Sequence, residues 1–128
     1  MTYSDWMADA AFKLSKIGVV MLGVSDLKNS IEFYRDKLGL KLTGEFEGFG
    51  FFDAGVTLAL SRGLAQATGK GAGATEVVFA VEHVQAAVDA LRERGVEFFQ
   101  APRQIAGPNW GASFRDPDGH VLSVFGPE

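Results

Sequence analysis

The sequence predicts an α+β fold: two tandem βαβββ modules forming a curved mixed β-sheet cleft, preceded by a short N-terminal helix. Three observations predict it. First, a helical pattern recurs at a fixed distance. Val24 aligns with Val81, Asp26 with His83, Leu27 with Val84, Ile31 with Val88, Arg35 with Arg92 and Lys37 with Arg94, each pair 57 residues apart. Second, each copy is followed by short runs rich in β-branched and aromatic residues, separated by turn signals. Third, one βαβββ unit cannot cover its own sheet, so two must pack side by side and enclose a cleft lined by alternate strand residues.

The elements follow in order. Residues 4–14 read as a short helix, with Ser4 the expected N-cap, Asp5 in the first turn and Lys13 near the end, as the helix dipole favours. Trp6, Ala10 and Leu14 share its stripe. Module one spans 16–62. It opens with a strand over 16–24. A helix capped by Ser25 or Asp26 follows, its stripe formed by Leu27, Ile31, Tyr34 and Leu38 and its end set by Gly39. Strands over 40–47, 48–53 and 56–61 complete the module, with Ala54–Gly55 as a turn. Residues 63–74 (GLAQATGKGAGA) are rich in glycine and alanine without periodicity, and read as a linker or mobile loop. Module two spans 75–126. It has a strand over 76–81, a helix with the stripe Val84, Val88 and Leu91 closed by Gly95, and strands over 96–100, 112–115 and 121–125. Asp116–Pro117–Asp118–Gly119 has the chemistry of a type I turn.

Composition narrows the function. A chain of 128 residues is one domain's worth of polypeptide, 1–128. It has no cysteine, which excludes disulfides, thiolate nucleophiles and thiolate metal sites. The net charge of −4 disfavours a nucleic-acid partner, which needs a basic face. The longest apolar stretch, 17–24, is too short to span a bilayer, and the start of the chain lacks the basic and apolar character of a secretory signal. A cytoplasmic location without membrane contact is expected. Eleven phenylalanines against two histidines suggest an apolar or aromatic-lined interior and leave little material for a histidine metal site.

The segments VSDLKNSIEFYRDKLGLKL (24–42), VVFAVEHVQAAVDALRERGVEFF (77–99) and WGASFRDPDGHVLSVFGP (110–127) resemble the vicinal oxygen chelate superfamily, also called the glyoxalase/bleomycin-resistance/dioxygenase family. The resemblance covers nearly everything after residue 15. It implies the glyoxalase/bleomycin resistance fold. It also implies four strand positions where family enzymes usually hold a divalent metal with two His and two Glu. Carried over one at a time, those positions hold Val19, Ala59, Glu76 and Ser123 here. Valine and alanine offer no donor, and serine is a weak ligand. His83 and His120 lie off the ligand strands. The expectation is therefore no metal and no cofactor.

By strand alternation, the cleft is lined by Val19, Met21 and Gly23, by Thr57, Ala59 and Ser61, by Glu76, Val78 and Ala80, and by Val121, Ser123 and Phe125. Phe51 or Phe52, Trp110, Phe114, Arg62 and Arg103 are placed at its rim. The ligand-binding set is Met21, Phe51, Phe52, Ser61, Glu76, Trp110, Phe114 and Ser123. The resemblance also points to drug-binding relatives in which an aromatic residue stacks on planar rings. The sequence is thus read as a metal-free binder of a small planar or hydrophobic molecule. The alternative is a metal-independent lyase, isomerase or cyclase with Glu76 as catalytic acid or base. A small-molecule ligand and a homodimeric assembly are the expected partners.

Overall fold

The computed structural model describes residues 17–69, 73 and 75–128. The expected helix over 4–14 lies outside the described residues. The elements are β1 (Val19–Gly23), α1 (Leu27–Glu32, continued by a wider turn over Phe33–Lys37), β2 (Lys41–Phe46), β3 (Phe49–Ala54), β4 (Val56–Ser61), α2 (Arg62–Thr68), β5 (Glu76–Ala80), α3 (Val84–Glu93), β6 (Phe98–Ala106), β7 (Asn109–Arg115) and β8 (Val121–Pro127). They form two four-stranded sheets of identical topology, β1-β4-β3-β2 and β5-β8-β7-β6. In each, the first strand runs parallel to the last and the other pairs are antiparallel. The repeat read from the sequence is therefore a repeat of folded units.

Local chemistry sets the helices. Asp26 caps α1, its carboxylate accepting from the Asn29 N–H at 3.0 Å. The end of the helix widens: the Leu38 N–H reaches back five residues to the Phe33 carbonyl at 3.1 Å. Adjacent Phe33 and Tyr34 are both buried there, with rings edge-on at 5.5 Å. Gly39 then ends the segment at φ +76°, a backbone conformation glycine adopts without cost. In α3, Val84, Val88 and Leu91 form the buried stripe.

Two expectations change. The first part of the stretch read as an aperiodic linker is helical, as α2. The Ser61 side chain caps it by accepting from the Leu64 N–H at 3.0 Å, and Gly69 closes it in the left-handed conformation. Seven residues of mostly small side chains give no visible stripe, which is why the periodicity is silent. The strands over 96–100 and 112–115 also prove longer, forming a hairpin that reaches Ala106 and Asn109. Pro102 falls within β6. This is an outer strand with several register shifts, where a proline removes no interior ladder bond.

One apolar core joins the modules. Leu22, Tyr34, Phe52, Leu58 and Leu60 of module one share it with Val84, Val88, Phe114 and Leu122 of module two. Each such side chain contributes about 1.5–3 kcal/mol by burial. A polar joint runs alongside. The Tyr34 hydroxyl donates to Asp116 Oδ2 at 2.9 Å. Asp116 Oδ1 accepts from the N–H groups of Asp118 and His120 at 3.0 and 2.8 Å. Asp118 accepts from the Ser25 N–H at 3.0 Å. His120 Nε2 lies 2.6 Å from the Gly23 carbonyl oxygen, which can only accept, so Nε2 carries the proton. His120, expected only to lie off the ligand strands, is buried in this joint. Burial holds the Asp116 carboxyl above its usual range, against the opposing pull of its hydrogen-bond donors. Burial also pushes the Tyr34 hydroxyl far up, with the Asp116 carboxylate adding to the effect.

Candidate functional site

Strand register assigns the two faces of each sheet. In module one, Val19, Met21 and Gly23 stand beside Thr57, Ala59 and Ser61, which stand beside Asp53, Phe51 and Phe49. These side chains lie on the face opposite the core. In module two, Glu76, Val78 and Ala80 stand beside Val121, Ser123 and Phe125, which stand beside Arg115, Ser113 and Gly111. The faces that alternation assigned to the cleft thus carry the positions expected of them. They are partly open: Val19 is 51% exposed, Met21 42% and Val78 51%, while Ala59, Ser61 and Ser123 are buried.

Of the candidate ligand-binding residues, Met21, Phe51, Ser61, Glu76 and Ser123 lie on these faces. Phe52, Phe114 and Trp110 do not. Phe52 and Phe114 are buried in the core, and half-buried Trp110 packs against it. The correction follows from the period of two. Ser113, not Phe114, pairs with Ser123, so 114, 112 and 110 share the inner face. Between the neighbours Phe51 and Phe52, the register selects Phe51, opposite Ala59. Arg103 is opposite Gly111, on the outer strand of the second face. Arg62 instead lines a groove of about 700 Å³ beside α1, together with Ser25, Arg35 and Glu45.

Ser61 has a structural task as the α2 cap, and the helix it starts lies across the end of β1. A Cβ on Gly23 would come within 2.9 Å of the Ala65 nitrogen. This end of the first face is therefore covered by α2.

Sequence reasoning missed two features. Phe49 stacks on Phe51, with ring centroids 5.9 Å apart and planes at 11°, placing an aromatic pair on the first face. Its spacing of two residues from Phe51 was the available signal. On the second face, Ser123 Oγ donates to Glu76 Oε2 at 2.5 Å, and Ser113 Oγ lies 2.7 Å from Ser123 Oγ. Ser113 could have been found by folding the chain back about the Asp116–Gly119 turn onto Ser123.

The residues at the family's ligand positions do not fit a divalent metal. Val19 and Ala59 bring no donor, and the Ser123 hydroxyl is committed to Glu76. No group of three His, Cys, Asp or Glu side chains stands close enough to hold an ion among the described residues. Nor is any helix among them long and apolar enough to cross a membrane.

The family model of the Glyoxalase/Bleomycin resistance protein/Dioxygenase superfamily matches residues 16–124. The uncharacterized protein YraH of Bacillus subtilis (strain 168) is 32% identical over 127 residues, covering 86% of this chain and 97% of that protein. Among solved structures, TnmS3, an antibiotic binding protein from Streptomyces sp. CB03234, matches with a TM-score of 0.76 at 23% identity, over 91% of this chain and 99% of that one. Lactoylglutathione lyase from Agrobacterium tumefaciens matches with a TM-score of 0.72 at 20% identity, over 88% and 93%. At these identities the two structures show a shared fold, and one fold carries a binder and a lyase.

Proposed function

Because the chain belongs to the Glyoxalase/Bleomycin resistance protein/Dioxygenase superfamily, we propose that it binds a small planar or hydrophobic molecule without a metal. The observation that carries this reading is the stacked Phe49–Phe51 pair on a partly open apolar face that also presents Val19 and Met21. Such an aromatic pair offers a planar ligand apolar area and a ring to stack against. The likeness to an antibiotic binding protein supports the same reading.

The cleft is assigned to a homodimer. Within one chain, β1 and β5 are each the outer strand of their own sheet. In this reading a second copy supplies the opposite wall, with sheet one of one protomer facing sheet two of its partner. A metal-independent lyase or isomerase is the second reading, favoured by the serine pair that ends on the Glu76 carboxylate. The test is titration of a flat aromatic dye followed by its fluorescence. Phe51→Ala removes half of the aromatic pair and should weaken binding by about tenfold, for a stacking contribution near 1 kcal/mol plus lost area. Unchanged affinity would place the ligand elsewhere.

A further inference from the structure

The hydrogen-bond polarity on the second concave face specifies the charge of the ligand. Ser123 has one hydroxyl proton, and it is spent on Glu76 Oε2 at 2.5 Å. The 2.7 Å contact between Ser113 and Ser123 must then use the Ser113 proton. The chain runs Ser113 to Ser123 to Glu76, across three adjacent strands, with every hydroxyl proton turned inward. What it leaves outward is acceptor capacity alone: hydroxyl lone pairs and the exposed carboxylate. A carbonyl or an anion finds no donor there.

The neighbouring cations do not neutralise Glu76. Arg115 is on the same face, but its guanidinium lies over the Phe99 ring, 4.6 Å from the centroid, and donates to the Gly119 carbonyl at 3.0 Å. Arg103 stands on the outer strand β6, beyond β7 and β8 from Glu76. Phe125 shares the face, two residues from Ser123 and in register with Ala80. A carboxylate with free lone pairs is suited to a planar N–H cation, which it can meet with two parallel hydrogen bonds.

We infer that Glu76, held by the Ser113–Ser123 pair, is a subsite for a flat cationic N–H donor of the aryl amidinium class. The inference rests on the aromatic-cleft reading and names the ligand's charge. The experiment is calorimetric titration of the full chain with three probes that share one ring: benzamidinium, neutral benzamide and benzoate. Benzamidinium should bind about tenfold or more tightly than either of the others, as charge-assisted bonds require. Glu76→Gln should remove that preference, while Phe51→Ala should weaken all three alike. The selectivity of the wild-type chain decides the matter even if a variant fails to fold. Equal binding of the three probes would overturn the cationic subsite and leave the aromatic cleft standing. Binding of none would overturn the aromatic cleft and the subsite with it.

Discussion

Tyr34 and Asp116 are 82 residues apart in sequence and 2.9 Å apart in space. Replacing Tyr34 by Phe leaves a buried carboxylate oxygen without its donor. The expected cost is about 1.5–3 kcal/mol, the usual range for a hydrogen bond to a charged group, read as a lower urea midpoint. Asp116 adds a pH signature. Its folded carboxyl titrates above the ordinary carboxylate range because burial disfavours the charge. Between the unfolded and folded values, the native state holds the proton that the unfolded state has lost. Stability therefore falls as pH rises through that window, and the contribution is complete only below the unfolded value. Asp116→Asn cannot titrate, so its stability should be flatter over the same window, as thermal melts at stepped pH would show. The sequence made the turn at 116–119 legible, because its proline and glycine act locally. It hid the turn's second task, because a hydrogen bond across so much chain leaves no periodic trace. Phe51 and Phe52 show the same limit: adjacent identical residues have opposite faces, and only the register with Ala59 tells them apart.

At the scale of elements, α2 is held to β1 by the absence of a side chain. Gly23 to Val would place a Cβ within 2.9 Å of backbone at Ala65, which cannot swing aside as a side chain can. The expected result is displacement of α2, seen as faster amide exchange at Leu64 and Ala65, while the exchange of β7 and β8 stays unchanged. Exchange at α2 as slow as in the wild type would reject this dependence. The strands and the two longer helices were legible because alternation and 3.6-residue spacing survive in the sequence. Residues 62–68 lacked that signal, and their helix depends on a serine cap, a glycine stop and a glycine floor contributed by another strand.

At the scale of the molecule, the 57-residue repeat gave the architecture, because two units of one sequence pattern fold to one topology. The assembly left a weaker trace. A side chain facing a partner and one facing its own cleft have the same alternation. The partly open second face supplies the test. Val78 is half exposed in the single chain, so Val78→Asp should cost the monomer within about 0.5 kcal/mol, as surface changes do. In the proposed homodimer it faces the first sheet of a second copy, and there it should shift sedimentation from dimer to monomer. A wild-type chain that sediments only as monomer would remove the shared cleft.

The joint between the modules also sets an order in time. The Ser25 N–H is satisfied by Asp118, and the Gly23 carbonyl by His120, separations of 93 and 97 residues. A chain made from its N-terminus has β1 and the start of α1 in hand long before either partner exists. During synthesis, module one therefore carries an open seam, with the Tyr34 hydroxyl lacking its Asp116 acceptor, until the turn before the last strand arrives. The loop closure that this demands spans most of the protein. The segment that completes the first module is thus among the last to be translated, and a nascent chain halted before the turn would be a strand and helix waiting for their clasp.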